Sequence, residues 1–275
     1  RFEPKNRLSV PRIDSSPCEL QYAVDRCMEI MKLGNIAIVA NAWQTVEEQF
    51  VIAELAKACG AKVHMVSHLG DDDGKLVSAD RTPNMRGAFV TGLIKEYPKP
   101  DLRELAESVR AGEVKTVLCF RENIAELGFE PKDFKSANII YCGALENSTS
   151  QIAKICIPMR GEFEKYGMWI NRQFRIQRFE KAVEAPKGTI SDISFLLTVL
   201  REISRQSFAM PSIMEVRRRM CAEIPALKGC ENVGDEGKLI DASDFAGIDF
   251  PETDAMHYTK GIPRAAAQGG GSETK

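Results

Sequence analysis

Residues 35–67 read "NIAIVANAWQTVEEQFVIAELAKACGAKVHMVS", and the order of the segments in this stretch decides the fold. "NIAIVA" is short and almost wholly apolar, as a strand covered on both faces of a sheet must be. Thr45, followed three residues later by Glu48, is a capping box that opens the helix "VEEQFVIAELAKAC", and Gly60 closes it. "KVHMVS" is then another strand. Strand, helix and strand in this order form a unit of the parallel kind.

The same alternation extends in both directions. Upstream, "SSPCELQYAVDRCMEIMKLG" predicts a helix with Ser16 as N-cap, Pro17 in its first turn, Glu19 three residues after the cap and Gly34 as its stop. Downstream, Asp101 and Glu104 cap "LRELAESVR", and "KTVLCF" follows as a strand. A short helical piece near 123–127 comes next, then the strands "NIIYC" and "AKICIP". Five apolar strands alternating with helices predict an α/β fold, a doubly wound parallel sheet over roughly residues 30–160, with C-terminal helices at about 191–206 and 213–223. Ser212 and Glu215 are placed as another capping box for the second of these helices. The expected organisation is an N-terminal segment and first helix over 1–34, the α/β domain over 35–186, a helical extension over 187–240 and a mobile tail over 241–275. That tail ends in "GIPRAAAQGGGSETK", which has too few large apolar residues to pack.

Composition excludes several classes of function. Among 275 residues, 37 are basic and 39 acidic, so a formal charge of −2 gives no global attraction to nucleic acid or to an anionic membrane. No apolar run approaches the roughly 18 residues of a membrane span, and "RFEPKNRLSV" lacks the apolar core of a signal peptide. A cytosolic chain is expected, and its start at Arg1 reads as a fragment, a processed product or one part of a longer polypeptide. The eight cysteines include no CxxC pair, and several sit inside apolar runs such as "VLCF" and "ICIP", as small buried hydrophobes do. His64 and His68 are four apart in a predicted strand, roughly 13 Å along one face, too far for a zinc pair. No metal site is expected.

Candidate binding residues are few. The turn "ANAWQT" after the first strand lacks the glycines that let backbone amides approach a pyrophosphate. Arg81 and Arg86 flank Thr82, Pro83 and Asn84, a turn that could hold two guanidiniums toward one anion. The simpler reading is a tight turn whose arginines pair with carboxylates such as Asp80. Asp71, Asp72 and Asp73 read as a solvated acidic loop. In 161–177, "GEFEKYGMWINRQFRIQ", an extended chain would place Trp169, Asn171, Gln173, Arg175 and Gln177 on one face, with Met168, Ile170, Phe174 and Ile176 on the other. The polar row reads either as a wall for a planar, phosphate-bearing ligand or as internal wiring for neighbouring loops.

Taken together, "SADRTPNMRGA", "AKICIPMRGEFEKYGMWINRQFRIQ" and "SIMEVRRRMCAEIPALKG" resemble the C-terminal part of the large iron–sulfur subunits of NADH:quinone oxidoreductase, complex I, within the molybdopterin oxidoreductase family. The opening "RFEPKNRLSVPRI" is similar to the segment that follows that family's last cluster-binding cysteine motif. The most specific part of the pattern is Glu164-Lys165, Gly167, Asn171, Arg175 and Gln177. Cofactor-binding relatives read Gly-Thr and then Asn-x-Glu-Gly-Arg here, whereas this chain has Gly167-Met168 and Gln173-Phe174. A bulky residue in place of glycine argues for packing.

The resemblance implies a structural and assembly module with no catalytic group of its own. Iron–sulfur clusters would lie on a missing N-terminal part, the other peripheral-arm subunits would be its partners, and it would sit on the inner face of a membrane through the complex. The alternative it implies is half of a bis-molybdopterin site in a formate dehydrogenase-like molybdenum or tungsten enzyme. In that case Arg81, Arg86, Asn171, Arg175 and Gln177 would be the candidate cofactor contacts. A reading from a different class is a free-standing small-molecule module that uses the C-terminal edge of the sheet.

Overall fold

A computed structural model describes residues 5–73, 77–204 and 212–251. The elements run β1 (Arg12–Ile13), β2 (Ser16–Pro17), α1 (Leu20–Met31), β3 (Ile36–Val39), α2 (Val46–Cys59), β4 (Lys62–His64), α3 (Met85–Val90), α4 (Arg103–Arg110) and β5 (Thr116–Phe120). They continue through α5 (Asp133–Ser136), β6 (Asn138–Gly143), α6 (Ser148–Ile152), β7 (Ile155–Pro158), β8 (Gly167–Ile170), β9 (Arg175–Phe179), α7 (Asp192–Ser204), α8 (Ile213–Glu223) and β10 (Lys238–Leu239).

The chain is an α/β protein built on a seven-stranded, mostly parallel sheet of order β2-β1-β7-β6-β5-β3-β4. Strands β4, β3, β5, β6 and β7 are mutually parallel, and the β1–β2 hairpin adds an antiparallel edge through β7. Side chains alternate between two cores, as a pleated strand requires. Ile36, Ile38, Leu118, Phe120, Ile140 and Ile155 enter one core with residues of α1, α2, α7 and α8. Ala37, Val39, Val117, Cys119, Ile139 and Tyr141 enter the other with residues of α4. Both faces are therefore covered by helices, which explains why residues 36–39, 117–120 and 139–142 of the central strands are apolar throughout. Among the described residues, no helix is long and apolar enough to cross a membrane.

Helix α2 is the pivot of the larger core. Thr45 Oγ1 accepts from the Glu48 amide, and Glu48 Oε2 accepts from the Thr45 amide at 2.8 Å, so the capping box forms in both directions. Gly60 ends the helix at φ 63°. Residues 46–56 are all buried, including Glu47, Glu48 and Gln49. Buried charges persist only when paired and hydrogen-bonded, and these are. Glu47 Oε1 takes Arg217 Nε at 2.8 Å, and its other oxygen takes the Met168 amide at 3.0 Å. Glu48 takes Lys165 Nζ at 2.7 Å. Burial pushes the Glu48 carboxyl up, against the opposing pull of Lys165.

This polar row ties a second, three-stranded antiparallel sheet of order β10-β9-β8 to the first. The Ile170 amide donates to Asn84 Oδ1 at 2.8 Å, beside the Met168–Glu47 bond. At Gly167 the two layers touch so closely that a Cβ would lie 2.3 Å from Thr45 Cγ2, so only glycine fits.

Several expectations need correction. Ser16 and Pro17 do not start α1; they pair with Arg12 and Ile13 in a hairpin turned by Asp14 and Ser15 at φ 47° and 65°, and the helix begins after Glu19. Pairing of β1 with β7 overrides the local capping signal. Asp101 accepts from the Arg103 amide, but Glu104 pairs with Lys99 instead of closing a box. Glu215 likewise ion-pairs with Arg218, although Ser212 does cap α8. Strand β4 stops at His64, so His68 lies outside it. The stretch 161–177 is not one extended strand: it turns at 171–174 between β8 and β9, and the polar row is broken there. Phe245, Ile248 and Phe250 pack against the larger core. The rest of the assigned tail, 252–275, and the end of the helix expected at 191–206 lie outside the described residues.

The Arg217–Glu47 pair yields a stability prediction. Arg217→Ala strands a buried carboxylate and is expected to lower unfolding free energy by about 3–5 kcal/mol, seen as a lower urea midpoint. A loss below about 1 kcal/mol, the range of exposed pairs, would mean that the pair does not anchor α8 to α2.

Candidate functional site

Strands β3 and β5 are neighbours, yet the chain leaves them toward opposite faces of the sheet. From β3 it enters α2 in the larger core and crosses to β4 on one side; from β5 it passes through Ile124, in the smaller core, and reaches β6 on the other side. Divergence of this kind opens a crevice at the carboxyl ends of the strands, where ligands of open α/β sheets bind. Here the crevice is a pocket of about 650 Å³. Asn41, two residues past β3, and Arg121, Glu122 and Asn123, directly after β5, line it with Trp43, His68, Glu126, Glu146 and Glu162.

The centre of this lining is a three-residue cluster. Glu122, 3% exposed, accepts from Asn41 Nδ2 at 2.5 Å and from His68 Nε2 at 2.9 and 3.1 Å. A carboxylate can only accept, so neutral His68 carries its proton on Nε2 and leaves Nδ1 as an acceptor. The hydrogen bond to Glu122 holds the imidazole pKa above its ordinary 6.5, against the opposing effect of burial. Trp43 lies edge-on to His68, with ring centroids 5.1 Å apart, and its amide donates to Asn41 Oδ1 at 2.7 Å.

Arg121 sits at φ 63°, in the left-handed region, and lines the crevice. It donates to Glu162 at 3.0 Å, to Asp192 at 2.8 Å and to the Arg160 carbonyl at 2.9 Å. Lys165 lies 3.8 Å from Asp192 and 2.7 Å from Glu48. A chain of alternating charges therefore runs from the first turn of α2 to the pocket wall. None of the described lining residues is Ser, Thr, Cys or Lys. Among the described residues, no group of three or more His, Cys, Asp or Glu is placed to hold a metal ion. Burial lowers the pKa of His64 to about 4.

The residues singled out in the sequence lie elsewhere. Arg86 and Asn171 share a second pocket of about 380 Å³ with Asp80, Thr82 and Gln173. Arg81 instead donates to the Asp71 carbonyl, and Asp80 accepts from Thr82 and from Tyr97. Asn171 Oδ1 accepts from the amides of Gln173 and Arg175 at 2.9 and 3.0 Å, closing its own hairpin turn. Arg175 donates to the Glu236 carbonyl at 3.1 Å, and Gln177 is exposed opposite Trp169. The polar row is thus spent on the turn and on the approach to β10.

The sequence pattern does not mark Asn41, Trp43, Arg121 or Glu122 as site residues, and it offers His68 only as half of a zinc pair too widely spaced to form. Their signal is positional: polar "NAW" and "REN" each follow directly on an apolar strand. Only the strand order places the two segments side by side.

Compared with models of known protein families and with curated proteins, the chain matches none.

The His68–Glu122 pair sets a pH dependence. A raised folded-state pKa contributes stability that is complete below pH 6.5 and is lost as pH rises through the folded value. In a Trp169→Phe background, Trp43 fluorescence is expected to titrate with a midpoint above 6.5. Glu122→Gln should move that midpoint to 6.5 or below. An unchanged midpoint would show that the carboxylate does not hold the imidazole.

Proposed function

We propose that this chain is a structural and assembly module of the large peripheral-arm subunit of a respiratory NADH:quinone oxidoreductase. In this reading it is a doubly wound domain of the molybdopterin oxidoreductase type that no longer holds a pterin. Electrons pass through iron–sulfur clusters carried elsewhere in the assembly, and the chain supplies framework and partner contacts on the cytoplasmic side of the membrane.

The observation that carries the reading is Phe174. Its backbone is left-handed, at φ 57°, where glycine costs least; pterin-binding relatives have glycine at the resembling position. The phenylalanine ring fills the space that glycine would leave to a ligand. It stacks on Phe245 at 5.5 Å with an interplanar angle of 14°, and Phe250 lies 6.0 Å away. The Arg86 guanidinium covers Phe250 at 3.2 Å from the ring centroid. Retention of a strained turn together with an aromatic plug is what a cofactor fold converted to packing would leave. The engagement of Asn171 within its own turn supports the same view.

Two measurements test it. Elemental analysis of the purified chain, with an assay for released pterin fluorescence, is expected to find no molybdenum, tungsten or iron. The tagged chain, isolated from native extract, should co-elute with NADH-oxidising activity. Near-stoichiometric molybdenum or tungsten with pterin would overturn the proposal in favour of the bis-pterin enzyme. Phe174→Gly is expected to cost about 2 kcal/mol in urea unfolding, because relief of the left-handed strain offsets part of the lost ring packing.

A further inference from the structure

The row of charges that runs from α2 to the pocket wall does not balance. Lys165 lies 2.7 Å from Glu48 and 3.8 Å from Asp192, and Arg121 lies 2.8 Å from Asp192 and 3.0 Å from Glu162. Three carboxyl groups therefore share two cations. The Glu162 side chain is 33% exposed, so water screens its charge, whereas those of Glu48, Asp192 and Lys165 are at most 3% exposed. The shortage falls on the buried pair. Asp192 Oδ1 is buried and finds no donor among the described residues, a costly state for an ionised oxygen.

Charges on the elements packed against α2 are engaged elsewhere. Arg217 is taken by Glu47, Arg219 by Glu54 and Arg218 by Glu215 on α8. On α7, Glu202 pairs with Lys32 and Arg201 is exposed. Arg86 of α3 covers Phe250, and Lys62 and His64 of β4 act on Glu104. The strongest charges acting on Glu48 are accordingly Lys165, Asp192 and Arg121. Burial raises its carboxyl pKa to about 7, Lys165 opposing the rise and Asp192 adding to it. A buried carboxylate short of cations neutralises itself by taking a proton.

We propose that Glu48 and Asp192 form a proton-binding site, holding one proton between them across Lys165, and that its release loosens the grip of α2 on β8 and α7. On release a carboxyl O–H bond breaks, its electron pair stays on the oxygen and the proton passes to solvent. Two buried carboxylates then repel each other across one ammonium group. The folded pair binds its proton more tightly than an unfolded carboxyl does, so this stabilisation is complete below pH 4.5 and is lost as pH rises through about 7.

The test is infrared difference spectroscopy of the full chain between about pH 6, where ordinary carboxyls are ionised, and about pH 8.5. A protonated carboxyl shows a carbonyl stretch that carboxylates and histidine lack. Wild type is expected to show this band at the lower pH and to lose it at the higher. Glu48→Gln and Asp192→Asn should each abolish it, because either change leaves two carboxylates for two cations, and circular dichroism checks that each variant is folded. In a His68→Asn background, which removes the imidazole titration, the urea midpoint is expected to fall across the same interval and to stay level once Glu48→Gln is added. Three results would overturn the proposal: no band at the lower pH, a band that persists in either folded variant, or a urea midpoint that does not move with pH.

Discussion

Two adjacent carboxylates at the start of one helix hold the molecule together. Glu47 and Glu48 lie in the first turn of α2, where the positive end of the helix dipole favours them, and both are buried. One takes a guanidinium from α8 and an amide from β8; the other closes its own helix cap and takes a lysine that leads on to Asp192 of α7. Three elements from the C-terminal half are thus fastened at two consecutive residues. Apolar packing alone would allow these elements to slide over one another. Directional bonds fix their register, because a misplaced partner leaves a charge buried and unpaired.

This arrangement explains which parts of the fold were legible in the sequence. The capping box at Thr45 and the stop at Gly60 were readable because every partner lies within a few residues. The central strands were readable because burial on both faces removes any alternation. The start of α1 was not, since Ser16 and Pro17 obey a hairpin laid against β7, about 140 residues away in the chain. Nor was the bend at 171–174 legible from alternation alone, because a period of two continues through a turn as readily as through a strand. The left-handed position of Phe174 was hinted at only by its place in the pattern.

The candidate site was less visible still. Asn41 and Glu122 are 81 residues apart and meet only because β3 and β5 are neighbours. Sequence reading favours residues that cluster along the chain, such as Arg81 and Arg86, and the structure sends those two to different places. The hairpin turn and the strand-end crevice also differ in character. The hairpin turn carries an aromatic plug and self-satisfied amides, whereas the strand-end crevice keeps an open, charged wall connected through Arg121 and Lys165 to the core.

The hairpin edge carries a further consequence. Amides on the outer side of a terminal strand normally invite another chain to add on. On β8 the amides of Met168 and Ile170 are answered by side chains, Glu47 and Asn84, reaching out from the larger layer. The carboxylate and the amide act as a false neighbouring strand, two acceptors at the two-residue spacing that a real strand would offer. The small sheet is thereby sealed along this side, so any growth by strand addition is left to its other border, where β10 contributes only two exposed residues.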